Sequence, residues 1–360
     1  MKDNFYAVIM AGGGGTRLWP LSTRQRPKQL LAFSDKKSLF AHAVERLKGL
    51  IKQENIFIVT IADHVAALRE QAPDLSAEQY IIEPQPKGTA SVVGLAAIKL
   101  LEKNPDAVMA VLTADHVIGN IPLFHDLLES AFEYSGNDYL VTLGIKPGYA
   151  ATGYGYILVG EKLSTDGPYI VKKFVEKPNQ NNADKYLEAG NYYWNSGMFV
   201  WRADRIMREF NSQMPDLFSK LNEISEIYES PNYETKFQSI WDSIIPETID
   251  YGIMEHAYNI LMLEALDLKW NDIGSWDSLY DFLPSDSKGN VIKNNQSVLI
   301  DSERVLIIGE NKNKIIVSLG VDDLVVVDTE KALIVCKKGE TQKIKQVIQE
   351  LKNRDLENYL

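Results

Sequence analysis

The chain has 360 residues, 45% of them hydrophobic and 24% charged, a balance that excludes disorder. That length allows about two to three domains, or one large α/β domain with an appendage, and it buries enough surface to fold without disulfide or metal staples. Lys and Arg number 38 against 49 Asp and Glu, a net charge of −11 that argues against nucleic-acid or anionic-membrane partners. Any anionic substrate therefore needs a local device.

The single cysteine, Cys336, excludes an intramolecular disulfide and a multi-cysteine metal centre, and it suits a reducing compartment. The apolar run 6–11 is too short for a secretory leader, and nowhere do about 18 uncharged apolar residues follow one another. The expectation is a soluble, cytoplasmic protein.

In chain order, residues 6–10 read as a buried strand, followed by a glycine-rich turn. Helical spacing covers 39–50, with Leu39, Ala43, Leu47 and Leu50 on one face. Strands at 55–60, 80–83, 107–113 and 139–145 alternate with helices at 64–71, 89–101 and 122–135. This alternation predicts an α/β fold, a Rossmann-like and mostly parallel sheet with helices on both faces. From about residue 150 the pattern changes. Strands are expected at 154–159, 170–176 and 194–201, a mostly helical stretch at 202–249, and a helix over 250–261 leading to a strand near 266–270. After Pro284 the polar stretch 285–290 reads as a linker. Short β-rich runs at 297–300, 305–308, 315–317, 324–327 and 332–335 then predict a smaller C-terminal β-rich domain. Its form is a β-helix, left-handed in one version, or a roll. Ile344, Val347, Ile348 and Leu351 fall on one face of a closing amphipathic helix at 341–351. The expected domains are 1–284 and 285–360.

The strongest chemical signal is Gly12-Gly13-Gly14-Gly15-Thr16-Arg17, directly after the first strand. Glycines let backbone N–H groups approach a phosphate, Thr16 adds a hydroxyl, and Arg17 offers a planar, multidentate cation. The run is neither a Walker loop nor a dinucleotide fingerprint, and a flexible turn is the alternative. Arg24, Arg26 and Lys28 cluster around Pro27, either as an anion device or as a solvated basic turn. Asp115 follows the apolar strand 107–113, where open α/β sheets place their sites; it is suited to Mg²⁺ or to capping a turn. Asp272, in Trp270-Asn271-Asp272-Ile273-Gly274, is a second acid able to meet the same ion. Glu176-Lys177-Pro178 ends a strand, and Asn195-Ser196-Gly197 places an amide, a hydroxyl and a glycine between aromatics, a mixture suited to a sugar. A surface ion pair and a bulged core strand are the plainer readings. Gly153-Tyr154-Gly155-Tyr156 adds a glycine-spaced aromatic pair.

In this order the motifs resemble the sugar-1-phosphate nucleotidyltransferases. Leu18-Trp19-Pro20-Leu21-Ser22, Lys28-Gln29, Asp250-Tyr251 and the 270–276 stretch are similar to their mannose-1-phosphate guanylyltransferase branch, and the likeness runs over nearly the whole chain. The resemblance implies transfer of GMP from GTP to mannose 1-phosphate, with GDP-mannose and pyrophosphate as products. Gly12, Gly13, Gly14, Gly15, Thr16 and Arg17 would hold the β- and γ-phosphates, and Lys28 would neutralise charge near the α-phosphorus. Glu83, Gly88 and Thr89 would face the guanine. Asp115 and Asp272 would ligate Mg²⁺. Gly153, Glu176, Lys177 and Asn195 would hold mannose 1-phosphate, with Lys177 on the phosphate. Two departures stand out: Gly88 replaces the usual Asn, and His256 replaces a Lys after Glu255. Alternatives are a sister enzyme using another sugar 1-phosphate and a non-catalytic regulatory subunit. A homodimer is expected through the C-terminal strands and helix.

Overall fold

The apolar runs become the strands of a nine-stranded sheet in a computed structural model that describes residues 1–13, 15–293, 296–311 and 313–360. Through residue 271 the strands are β1 (Phe5–Met10), β2 (Ile56–Ile61), β3 (Tyr80–Glu83), β4 (Val108–Thr113), β5 (Val117–Ile118), β6 (Leu140–Ile145), β7 (Tyr156–Lys162), β8 (Tyr169–Val175), β9 (Tyr192–Arg202), β10 (Ile260–Glu264) and β11 (Trp270–Asn271). The large sheet runs β3-β2-β1-β4-β9-β6-β10-β8-β7. Its first four strands are parallel, with Ala7 opposite Ile56 on one side and Ala110 on the other. Parallel strands need crossovers, and these are supplied by helices α1 (Leu39–Glu45), α2 (Ala62–Gln71) and α3 (Thr89–Lys103). Strand β9 enters antiparallel between β4 and β6, so the sheet becomes mixed from that point.

Four further helices belong to this part of the chain up to the middle 220s, α4 (Ile121–Ser135), α5 (Gln180–Ala189), α6 (Ala203–Gln213) and α7 (Pro215–Glu226), followed by α8 (Tyr233–Asp242). The stretch expected as a helix over 250–261 differs. It is a five-residue π-helical turn, Asp250–Met254, after which β10 begins at Ile260; the strand expected near 266–270 shrinks to β11. Asn259, at φ +57, turns the chain between turn and strand.

The chain separates into two units. One comprises Met1–Gly12, Ala43–Ala114 and Ile118–Trp270; the other comprises Gly13–His42, Asp115–Val117 and Asn271–Leu360. The second unit contains α9 (Trp276–Phe282), β12 (Val291–Lys293), β13 (Gln296–Ile300), β14 (Leu306–Gly309), β15 (Ile315–Leu319), β16 (Leu324–Asp328), β17 (Leu333–Lys337) and α10 (Ile344–Asn353). Strands β12, β14 and β16 stack in parallel, with Val291 beside Leu306 and Leu306 beside Val325, while β13 and β15 form a second parallel pair. Successive strands thus alternate between two sheets, as the coils of a β-helix do, and β17 closes the stack antiparallel to β16. The core of this unit joins Leu18, Trp19, Leu21 and Leu31, from the segment after the glycine-rich turn, to Trp276, Val291, Leu306, Val325 and Ile344. No described helix is long and apolar enough to cross a membrane.

Candidate active site

In the second unit the glycine-rich segment leads into a single 3₁₀ turn, Thr16–Leu18, from Gly15 in the left-handed conformation at φ +58. A Cβ on Gly15 would lie 2.2 Å from Cβ of Lys28, so only glycine lets the two segments touch. The Ser22 hydroxyl donates to the Gly15 carbonyl at 2.7 Å and pins the turn. Lys28 opens the 3₁₀ turn Lys28–Leu30 after Pro27 and is buried. Its ammonium donates to Asp115 Oδ2 at 2.7 Å and to the backbone carbonyl of Asp272. A buried ammonium needs such partners, because leaving it unpaired costs several kcal/mol, of order 3–5.

These contacts bring Lys28, Asp115 and Asp272 together from three distant stretches of sequence. Burial pushes the Asp115 carboxyl up, but the Lys28 ammonium and the neighbouring His116 ring outweigh it and hold the group below its ordinary range. Asp272 is oriented differently: its Oδ1 accepts from the Gly274 N–H at 3.0 Å. A Cβ at residue 274 would lie 2.2 Å from the other carboxylate oxygen. Among the described residues no three acidic, His or Cys side chains form a metal cluster. A pair of hard carboxylates suits Mg²⁺, which takes one or two of them and fills its octahedron with waters and substrate phosphates. Arg17 is half-buried and makes no ion pair or side-chain hydrogen bond among the described residues. Thr16 and Gly13 are exposed, and Gly14 lies outside the described residues. Of the basic cluster, Arg24 pairs with Glu357 and Arg26 with Glu310, so Lys28 alone of the three points at Asp115.

In the first unit, Gly12 lies against the Glu83 side chain: a Cβ there would be 2.8 Å from Oε1. Glu83, at the end of β3, is only 2% exposed, and its Oε2 has no hydrogen-bond partner among the described residues. Burial raises its pKa to about 7, opposed only by a hydrogen bond from the Lys87 backbone. Gly88 sits at φ +87 before α3, and a Cβ there would be 2.2 Å from the Glu247 carbonyl. A side chain at this position would therefore collide with the backbone at 247. Segment 87–90 is laced to 247–249: Glu247 N–H to the Lys87 carbonyl, Ala90 N–H to the Glu247 carbonyl, and Ile249 N–H to the Thr89 hydroxyl at 2.9 Å.

Also in the first unit, Glu176 and Asn195 lie against Gly155, where a Cβ would be 2.2 Å from Glu176 Oε2 and 3.5 Å from Asn195 Cβ. Lys177, at φ +42, donates to Glu176 Oε1 at 2.6 Å. Gly153 has open space at its Cβ position. Ser196, grouped with Asn195 from the sequence, is buried and donates to the Leu143 carbonyl at 2.7 Å; its hydroxyl serves the sheet rather than a ligand. Trp194 is flanked edge-on by Tyr149 and Tyr154, with centroids 4.9 and 5.0 Å away, and its indole N–H is buried without a hydrogen-bond partner among the described residues. Asp250 joins this group by accepting from Asn195 Nδ2 at 2.7 Å. From the sequence it is visible only as part of Asp250-Tyr251, and its contact with β9 exists only in three dimensions. His256 is exposed at the rim of a cavity of about 420 Å³ that it lines with Lys220 and Tyr251.

A nucleotide-handling α/β fold with a glycine-rich turn and a Lys–Asp–Asp group is thus defined, and the chain belongs to the nucleotidyl transferase family, whose model matches residues 6–289. A second model, the mannose-phosphate isomerase/GMP-like β-helix domain, matches residues 295–351. The relatives narrow the class. A mannose-1-phosphate guanylyltransferase of Klebsiella pneumoniae is 36% identical, over 98% of this chain and 75% of its own length. One of the same description from Escherichia coli shows the same identity and coverage. A solved structure from Thermus thermophilus, described as a mannose-1-phosphate geranyltransferase, has a TM-score of 0.87 at 28% identity, over 97% of this chain and 99% of that one.

Proposed function

We propose that this chain transfers the GMP unit of GTP to mannose 1-phosphate, forming GDP-mannose and releasing pyrophosphate. The likeness to mannose-1-phosphate guanylyltransferases, over 98% of this chain and 75% of theirs, supports the substrates. The observation that carries the chemistry is the buried Lys28 ammonium, bonded to Asp115 and to the Asp272 carbonyl behind the glycine-rich turn. An oxygen of the sugar phosphate attacks the α-phosphorus in line, and pyrophosphate leaves. That oxygen is already ionised at neutral pH, so no protein nucleophile is required, and the protein contributes positioning and charge.

In this reading Gly12, Gly13, Gly14, Gly15, Thr16 and Arg17 hold the β- and γ-phosphates. Lys28 offsets charge near the α-phosphorus. Glu83, Gly88 and Thr89 face the base; a carboxylate is matched to guanine, which presents two adjacent N–H donors on one edge. Gly153, Glu176, Lys177 and Asn195 hold the sugar and its phosphate. Asp115 and Asp272 hold Mg²⁺, which when bound supplies charge compensation between two polyanions. The division into a catalytic region 1–284 and a β-rich region 285–360, and a cytoplasmic location, belong to the same proposal. So does a homodimer, supported by the apolar side chains that β13 and β15 leave exposed, Ile300, Ile315, Val317 and Leu319 among them.

The test is pyrophosphate release with GTP, ATP, UTP and dTTP against mannose 1-phosphate and glucose 1-phosphate, with and without Mg²⁺. Turnover should be fastest with GTP and mannose 1-phosphate and should require the ion. Equal turnover with UTP or dTTP, or none with any pair, overturns the assignment.

A further inference from the structure

The π-helical turn Asp250–Met254 is held in an unusual conformation by close packing: a Cβ on Gly252 would lie 2.5 Å from Met214 Sδ. Such turns recur at functional sites, where they aim a side chain that regular helix would point elsewhere. Here the first residue of the turn reaches β9. Asn195 Nδ2 donates to Asp250 Oδ1 at 2.7 Å, while the Gly197 N–H donates to Asn195 Oδ1 at 3.0 Å. Together these two bonds settle which way the amide faces. An amide has two N–H donors and two acceptor lone pairs, so one of each remains uncommitted among the described residues. Adjacent sugar hydroxyls, each able to donate and accept, fit that fork. Asp250 supplies an acceptor on the Nδ2 side, and the Gly197 N–H, which can only donate, holds Oδ1 on the other.

The electrostatics agree. Burial and the nearby Glu176 carboxylate raise the Asp250 pKa to about 6, against the Asn195 hydrogen bond and Lys177. A half-buried acid beside a second acid is an arrangement that stability alone does not favour.

We propose that Asp250 is a positioning residue for the sugar: it fixes the Asn195 amide so that its free N–H and lone pair meet two hydroxyls of the sugar phosphate. This rests on the functional reading above. The experiment is steady-state kinetics of full-length Asp250→Ala, Asp250→Asn, Asn195→Ala and the Asp250→Ala/Asn195→Ala double variant. KM is measured for each substrate, with mannose 1-phosphate and glucose 1-phosphate as sugars. Asp250→Ala should raise KM for mannose 1-phosphate about tenfold, the worth of one well-made hydrogen bond, with kcat and KM for GTP within about threefold. Its preference for mannose over glucose phosphate should fall. The double variant should be no worse than Asn195→Ala, because Asp250 acts through that residue. Asp250→Asn changes no volume and keeps an acceptor oxygen, so it should stay within about threefold of the parent chain. An unmoved KM in Asp250→Ala, a matching rise in KM for GTP, or additive losses overturn the proposal. A tenfold loss in Asp250→Asn overturns it as well, even if Asp250→Ala fails to fold. Absence of turnover by the unmodified chain defeats the functional reading instead, whereas normal turnover with an unmoved KM defeats this inference alone.

Discussion

Lys28 and Glu83 show how one side chain can be read only in part before its surroundings are known. That Lys28 is basic and near a glycine-rich turn is legible in the sequence, but so are Arg24 and Arg26, and only the structure separates the three. The two arginines face acids near the C-terminal end of the sequence, and Lys28 faces Asp115. Lys28→Met keeps the stem beside Gly15 and deletes the ammonium. Turnover should fall about 10²–10³-fold, as for loss of a donor aimed at transition-state charge, measured by pyrophosphate release on protein whose circular dichroism is unchanged.

Glu83 yields a prediction in pH. Its folded pKa, about 7, lies above the ordinary carboxylate value, so the folded chain holds its proton more tightly than the unfolded chain does. Its contribution to stability is therefore best in acid and is lost as pH rises toward about 7. Binding runs the other way, since a carboxylate must be ionised to accept two N–H donors. KM for GTP should rise as pH falls below about 7, and Glu83→Gln should remove that dependence while weakening GTP binding throughout. A flat profile in the parent chain would separate Glu83 from the base.

Among elements, strands such as β1 and β4 are readable because their apolar runs are bounded by turn residues. Strand β10 is not. Ile260-Leu261-Met262-Leu263 is apolar on both faces, and without alternation such a run cannot be told from buried helix by period. Nor does a sequence reveal direction: β9 runs antiparallel to both β4 and β6, and no local pattern announces it. The segment before β10 also couples two groups of candidate residues. Its backbone is bonded to 87–90, and its first π-turn residue bonds Asn195. Thr89→Val, which removes the hydroxyl that accepts from the Ile249 N–H, should therefore raise KM for both substrates by several-fold. Isothermal titration with GTP and with mannose 1-phosphate would reveal a change confined to one.

At the scale of the molecule, the division by sequence position and the division by packing differ. Linker composition at 285–290 suggests a module that could be cut away, yet residues 18–31 share a core with residues 291–344. That sharing is not visible in any local pattern, because it joins segments some hundreds of residues apart. Expressed alone, 1–284 should be poorly soluble or, if soluble, lack turnover, with the turn around Gly15 exchanging its amide hydrogens quickly. Full activity in the truncated chain would show that the turn does not need that core. The intact protein should have a mass near twice 40.6 kDa by light scattering at micromolar concentration; a monomer would remove the proposed role of β13 and β15.

The same shared core sets an order of events during synthesis. Leu18, Trp19 and Leu21 leave the ribosome early, but Val291 and its neighbours follow only after about 270 further residues, roughly 15–55 s later at bacterial-to-eukaryotic elongation rates. Through that interval the segment around the glycine-rich turn lacks the later half of its core, which leaves it vulnerable to proteases near residue 20 until residues 291–344 have been made.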